Sequence, residues 1–162
     1  MARIVVADAS PLIGLSIACG LRWLSDLFGE VWMPQEVHRE VLSGKVSRGE
    51  SEIRSAIEEG WLKVWPEPFA LEETIDLDEG ESACIQIALS HSDDVLLIMD
   101  ERAGRAFAQE KEIQVVGTAA IIGMAKMSGL ITSVYEVFAA LYASDFRISA
   151  TVIQTILMRV DE

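Results

Sequence analysis

The sequence contains few cysteines and no long hydrophobic run. Its two cysteines, Cys19 and Cys84, lie far apart and show no spacing typical of metal ligands. No apolar run approaches the ~18–20 residues that a membrane span needs. An acid interrupts the first apolar run too early for a signal peptide. These absences favour a reduced, cytoplasmic protein without structural zinc and without a membrane segment.

Basic residues are also scarce. Thirteen lysines and arginines face 26 acids, which gives a formal net charge of −13. A field of this sign repels polyanions, so composition alone argues against a nucleic-acid binder. Acids are densest between Glu58 and Glu81, where Lys63 alone opposes them. Most of them are expected on a solvated surface, although a few could surround a divalent cation, whose charge would reverse the local field.

Length and pattern indicate one α/β domain over residues 1–162, with about 130–162 as a C-terminal helical extension. Short apolar segments predict strands at 3–7, 30–33, 61–65, 94–99 and 113–117. Helices are predicted between and after them, at 10–18, 21–28, 34–44, 47–59, 79–90, 100–112, 118–128, 132–143 and 149–159. Alternating strands and helices imply a parallel sheet with right-handed crossovers.

Two acids directly follow predicted strands, Asp8 after the first and Asp100 after the fourth. Glu40 lies on the helix after the second strand, and Glu81 lies in the first turn of the helix from 79. In open α/β sheets the functional crevice lies beyond the carboxyl ends of the strands. All four acids could face one crevice if the first and fourth strands are neighbours.

Each acid also has an ordinary explanation. Glu81 fits a capping box with Asp78, Asp100 could cap its own helix, and Glu40 could be a surface acid. Asp8 could cap a turn, but Ser10 is predicted to be the N-cap of the first helix. This makes a capping role for Asp8 redundant, and the joint placement of the four acids favours a functional site.

Clustered carboxylates indicate hydrolysis of phosphodiesters with a divalent metal. Mg²⁺ and Mn²⁺ prefer carboxylate oxygens and water over thiol or imidazole ligands. One or two such ions could activate a water and stabilise the leaving oxygen. Without a metal the acids would repel one another, and at least one pKa should rise.

Five sequence segments also resemble a prokaryotic branch of the PIN-domain proteins. In chain order they are VVADASPLIGL, MPQEVHREV, LDEGESACIQIAL, LLIMDERAGR and VVGTAAIIGMAKMSGLI. The resemblance extends to SDFRISATVIQTIL near the end and so covers nearly the whole chain. It implies a three-layer α/β/α sandwich with a parallel five-stranded sheet, and extra helices at the C-terminus.

The resemblance further implies catalytic acids that bind Mg²⁺ or Mn²⁺, with single-stranded RNA as the substrate class. Carried over by position, the ligands are Asp8, Glu40, Glu81 and Asp100, and Ser10 is a polar group beside them. Many PIN nucleases have aspartate where this chain has Glu81, whose longer side chain fixes the geometry less. The late Gly-Thr segment lacks the acid of some relatives and offers only Thr118.

Three further expectations concern binding partners. Many PIN ribonucleases of this size are toxins, which implies a small antitoxin that blocks the acidic site, often with an arginine. Related domains commonly form homodimers, for which the apolar C-terminal helices are plausible contact material. Arg102 and Arg105 share a helix face after Asp100 and could hold phosphates of RNA, or they could pair with nearby acids.

The leading hypothesis is therefore a metal-dependent PIN-type endoribonuclease, with the toxin role in a toxin–antitoxin pair as a finer hypothesis. A catalytically weak or inactive PIN-like scaffold that acts through protein contacts is the alternative, and the acidic composition favours it. A metal-dependent phosphohydrolase acting on a small substrate is a third, weaker option.

Overall fold

Five parallel strands form one sheet in the computed structural model, which describes residues 3–44, 49–67, 77–91 and 94–162. The predicted helix start at 47 and residues 68–76 of the acidic segment lie outside the described residues. The sheet order is β3-β2-β1-β4-β5. The strands are β1 (Ile4–Ala7), β2 (Val31–Met33), β3 (Leu62–Val64), β4 (Val95–Ile98) and β5 (Gln114–Val116).

Helices connect the strands and complete the α/β/α arrangement that the sequence predicts. No helix among the described residues combines the length and apolar character needed to cross a membrane. The helices in these parts of the chain are α1 (Ala9–Ile17), α2 (Trp23–Phe28), α3 (Gln35–Val41), α4 (Glu50–Glu59), α5 (Glu79–Ser90), α6 (Arg102–Glu110), α7 (Thr118–Met127), α8 (Val134–Ala143) and α9 (Ala150–Arg159).

The centre of the sheet explains why two of its strands are apolar at every position. β1 pairs with β2 and β4, and β4 pairs with β1 and β5, so both have neighbours on both sides. All four residues of β4 are buried, as are Val5 to Ala7 of β1. Parallel strands covered on both faces need apolar residues throughout, and the run 95–99 shows this pattern.

The direction in which the chain crosses the sheet changes between β1 and β4. After β1 the chain adds β2 and β3 on one side, then crosses back to place β4 and β5 on the other. Ala7 pairs with Ile98, and the Asp8 N–H donates to the Ile98 carbonyl at 2.9 Å. The first and fourth strands are therefore neighbours, and a crevice forms where their carboxyl ends diverge.

The start of α1 corrects one sequence prediction. The N-cap residue is Asp8 and not Ser10, because the extended backbone of β1 continues through Asp8 and the helix begins at Ala9. Pro11 therefore occupies the third helical position, where its missing N–H removes no intrahelical bond. The Asp8 side chain makes no capping hydrogen bond, and the Ser10 hydroxyl is available for another partner.

The C-terminal helices pack on the rest of the molecule through small residues. α8 and α9 both contact α7. The segment between them packs on α1, where a Cβ added to Gly14 would lie 2.5 Å from Cζ of Phe146.

Glu162 accepts hydrogen bonds from the Ser133 hydroxyl at 2.9 Å and the Val134 N–H at 2.7 Å. The Val134 N–H bond is the main reason why the pKa of Glu162 falls to about 2.

Candidate active site

Asp8 places a buried carboxylate at the carboxyl end of β1. The residue is only 5% exposed. Its pKa rises from 3.8 to about 7, mainly because burial disfavours the charged form, and the Ala9 N–H partly opposes the rise. The negative charges of Asp78, Glu81 and Glu40 raise this pKa further. Asp8 is thus a carboxylate whose ionised form needs a compensating positive charge.

The first turn of α5 lies against Asp8 because Gly80 has no side chain. A Cβ on Gly80 would lie 3.1 Å from Oδ1 of Asp8 and 3.5 Å from Oδ1 of Asp78. It would also lie 3.2 Å from the Val37 side chain of α3. The glycine therefore lets the carboxylates at the start of α5 approach the end of β1.

Glu81 forms the capping box that the sequence predicts. Its N–H donates to Oδ1 of Asp78 at 2.8 Å, and its Oε2 accepts from the Asp78 N–H at 3.3 Å. The box uses only one of the two Glu81 carboxylate oxygens, so it is compatible with a second role. Burial and then the Asp78 charge raise the pKa of Glu81.

Asp78 also belongs to this cluster of acids. The sequence pattern predicts only a helix cap for it and so misses this second role. Its charge raises the pKa values of Asp8, Glu40 and Glu81. Glu40 lies exposed on α3, and partial burial is the larger cause of its raised pKa. The Asp-x-x-Glu spacing, which puts two acids in one helical turn, was the available signal.

Asp100 has different surroundings from Asp8. Its Oδ1 accepts from the Thr118 N–H at 2.7 Å. Its Oδ2 accepts from the Thr118 hydroxyl at 2.7 Å and from the Ser10 hydroxyl at 2.8 Å. Asp100 thus binds the N-terminus of α7 and does not cap its own helix, whose N-cap is Glu101. A Cβ on Gly117 would lie 2.9 Å from Asp100 Oδ1, so glycine permits this approach.

The predicted acids are therefore arranged as two neighbouring parts. Asp8, Glu40 and Glu81 interact electrostatically around Asp78, and Asp100 follows the adjacent strand and is linked to α1 through Ser10. Among the described residues, no three His, Cys, Asp or Glu side chains are close enough to hold a metal ion as they stand. Within the same parts of the chain, no ion pair includes any of the four predicted ligands.

The donor chemistry nevertheless fits a hard divalent cation. Every side chain in the first group is a carboxylate, and Asp8 is buried without an ion-pair partner among the described residues. An ionised carboxylate has about four lone-pair positions, of which Asp100 uses three in hydrogen bonds. Asp100 thus keeps one position for a cation, while Ser10 and Thr118 fix its orientation.

The predicted arginines lie beside Asp100. Arg102 and Arg105 line a cavity that also contains Ser10 and Asp100. The alternative, that they pair with nearby acids, is wrong for the part of the chain that the structure describes, where neither forms an ion pair within 4.0 Å.

Replacing Thr118 by valine tests the arrangement around Asp100. The variant keeps the shape of a fully buried side chain and removes one hydrogen bond to a carboxylate. We expect the free energy of unfolding to fall by about 1–3 kcal/mol in urea denaturation. Thr132→Val, at an exposed position, is the matched control and should change stability by less than about 0.5 kcal/mol. Equal stability of the two variants would contradict a structural role for this bond.

The comparison with protein families covers almost the whole chain. A family model with the description "DUF3368: PIN domain" matches residues 4–162. No curated protein is significantly similar to the chain. The matched range contains all five strands and all four predicted acids, and the parallel sheet is the one that the resemblance implied. The chain therefore belongs to the PIN-domain family.

Proposed function

We propose that this protein is a Mg²⁺- or Mn²⁺-dependent endoribonuclease that cleaves single-stranded RNA. PIN domains are generally nucleases, and divalent ions are their typical cofactors. The observation that carries the proposal is the Asp8 carboxylate, buried at the switch point of a parallel sheet and facing other acids. Such an arrangement is costly for folding unless a cation compensates the charge.

Each residue of the site has a distinct part in this proposal. Asp8, Glu40 and Glu81 would hold the ion on one side of the crevice, and Asp100 on the other. A bound divalent ion supplies water activation and neutralises charge on the scissile phosphate. Ser10 and Thr118 orient Asp100 by their hydroxyl groups. Asp78 keeps Glu81 in place through the capping box and adds negative charge.

Cleavage of a labelled single-stranded RNA by the full chain tests the proposal. We expect cleavage with millimolar Mn²⁺ and none with EDTA. The same ion should raise the thermal unfolding midpoint, because it binds the folded state. Absence of both effects in purified, folded protein would refute the nuclease.

Replacing Glu81 by glutamine tests its proposed role as a metal ligand independently of its role in the capping box. Glutamine can accept the same bond from the Asp78 N–H, so the capping box is kept. We expect little change in stability, but at least about 10-fold weaker Mn²⁺ binding and slower RNA cleavage. Glu79→Gln, an exposed acid in the same turn, is the control and should behave like the wild type. If the two variants have equal Mn²⁺ affinity, Glu81 serves only as a cap.

A non-catalytic scaffold is the second candidate function. The net charge of −13 favours it, as do large exposed apolar residues of the C-terminal helices, such as Tyr142 (68% exposed) and Met158 (76% exposed). Exposed apolar side chains of this kind suit a protein contact, including a homodimer. Unchanged thermal stability at millimolar Mn²⁺ would support the scaffold over the nuclease.

A toxin role is a more specific proposal, and it requires that the protein is a nuclease. It requires a small partner whose arginine enters the crevice and pairs with Asp8, where it would also relieve the raised pKa. Co-expression with the product of a short neighbouring reading frame should then restore growth of cells that the nuclease arrests.

A further inference from the structure

A groove of about 800 Å³ is lined by Ser10, by Asp100, and by residues of α6, of the start of α7 and of the segment 146–159. Four arginines line it: Arg102 and Arg105 on α6, Arg147 before α9, and Arg159 at the end of α9. Among the described residues that line it, Asp100 is the acid. The two C-terminal arginines were not predicted as site residues, because they lie more than 40 positions after Asp100 in the sequence.

Most of these arginines have no ion-pair partner among the described residues, although the chain is strongly acidic. Within the described residues, Arg102, Arg105 and Arg159 form no ion pair within 4.0 Å, and Arg147 pairs only with the 96%-exposed side chain of Asp145. Most other described basic residues have an acidic partner, namely Arg3, Arg22, Arg39, Arg54, Lys63 and Lys126. Among the described residues, arginines without an ion pair are therefore concentrated in the groove.

Several contacts hold the groove in place. The Arg147 guanidinium lies 4.4 Å from the centre of the Tyr142 ring and donates to the Tyr142 carbonyl at 2.6 Å. Arg105 Nη1 lies 2.9 Å from the position that a Cβ would take on Gly117, as does Oδ1 of Asp100. Phe146, another lining residue, packs on Gly14 of α1. The wall thus combines oriented guanidinium groups with a fixed aromatic ring.

We propose that this groove binds the sugar-phosphate backbone of single-stranded RNA and leads it to Asp100. The proposal rests on the proposed function for the identity of the ligand. Guanidinium groups bind phosphate oxygens through two parallel hydrogen bonds, and a strand with regularly spaced phosphates can contact several arginines at once. Single-strand binding sites elsewhere combine a basic track with an aromatic or apolar wall.

The groove also resolves the conflict between the acidic composition and an RNA ligand. Long-range repulsion from a net charge of −13 opposes RNA binding, so local contacts must compensate. An acidic peptide would also fit four arginines. RNA is favoured because Asp100, an acid of the candidate cleavage site, lines the groove, and there a phosphodiester, and not a carboxylate, is the group to be positioned.

Fluorescence anisotropy with the full chain tests the groove. The probe is a fluorescein-labelled oligouridine of about 12 nucleotides, in EDTA, so that binding is measured without cleavage. We expect Arg147→Gln with Arg159→Gln to weaken binding about 10-fold or more. The slope of log affinity against log salt should fall in magnitude by about 1.4, since each phosphate contact on a single strand contributes about 0.7.

A control variant with the same net charge separates local contacts from the overall field. Arg3→Gln with Arg54→Gln removes two exposed, ion-paired arginines outside the groove. This variant should bind with nearly wild-type affinity and salt slope. Circular dichroism checks that both variants are folded.

The outcomes distinguish failure of the groove proposal from failure of the nuclease proposal. Equal effects of the two double variants, or no RNA binding by the wild type, would overturn the groove proposal even if the protein cleaves RNA. Groove-dependent binding of a glutamate-rich peptide, with RNA binding unaffected by the groove variant, would assign the groove to a protein partner instead. Groove-dependent RNA binding without Mn²⁺-dependent cleavage would support the groove and refute the nuclease.

Discussion

Replacing Asp8 by asparagine is expected to lower Mn²⁺-dependent cleavage of single-stranded RNA by about 100-fold or more. The substitution keeps the size of the side chain and removes its negative charge. Changing groups that merely support metal ligands costs about 10–100-fold, so loss of a buried ligand should cost at least as much. Initial rates at saturating Mn²⁺, with the oligouridine binding affinity measured in EDTA, provide the test.

The oligouridine affinity in EDTA shows whether the Asp8→Asn substitution affects RNA binding or only RNA cleavage. We expect Asp8→Asn to bind RNA at least as well as the wild type in EDTA, because it carries one negative charge fewer. Asp26→Asn, an exposed acid on α2, makes the same charge change away from the site and should cleave normally. Undiminished cleavage by Asp8→Asn would remove Asp8 from the mechanism.

The same substitution is expected to stabilise the metal-free protein at neutral and higher pH. The Asp8 pKa is about 7 in the folded protein and 3.8 in the reference state. Because the folded state retains the proton longer, the contribution of Asp8 to stability is largest below pH 3.8 and falls as pH rises to about 7. The total cost is about 4 kcal/mol, and Asp8→Asn should raise the unfolding midpoint at pH ~8 by about 10 °C.

Thermal unfolding in EDTA across this pH range tests the stability prediction. The wild type should lose stability as pH rises, with Glu40 and Glu81 adding to the trend because their pKa values are also raised. The loss should be clearly smaller in Asp8→Asn and unchanged in Asp26→Asn. Parallel curves for the wild type and Asp8→Asn would show that Asp8 ionises in the folded protein as it does in the unfolded chain.

The fold was largely predictable because its signals are local. The run 95–99 is apolar throughout, as a strand with neighbours on both sides requires, and Asp78 with Glu81 marks the start of α5. The start of α1 was placed two positions late, since Ser10 and Pro11 carry the usual signals of a helix start. What the local pattern lacks is the partner of Ser10, an aspartate 90 positions away.

The candidate site was predictable only where its residues follow strands. Asp8 and Asp100 are recognisable because parallel strands end at one edge of the sheet. Asp78 acts on Asp8 through packing that depends on Gly80, and Arg159 reaches the groove through the packing of α9 on α7. Such contacts depend on how the helices pack on the sheet and on one another. Short sequence spacings do not encode this packing.

The pairing of β1 with β4 has a consequence for the protein during its own synthesis. Asp8 is made 90 residues before Ile98, which completes the strand beside it. At about 5–20 residues per second, the ribosome needs roughly 5–20 s to make the intervening chain, and longer to reach Arg159. A nascent or prematurely terminated chain that ends before β4 therefore has Asp8 without the strand that completes its crevice, so the proposed activity requires synthesis to continue past Ile98.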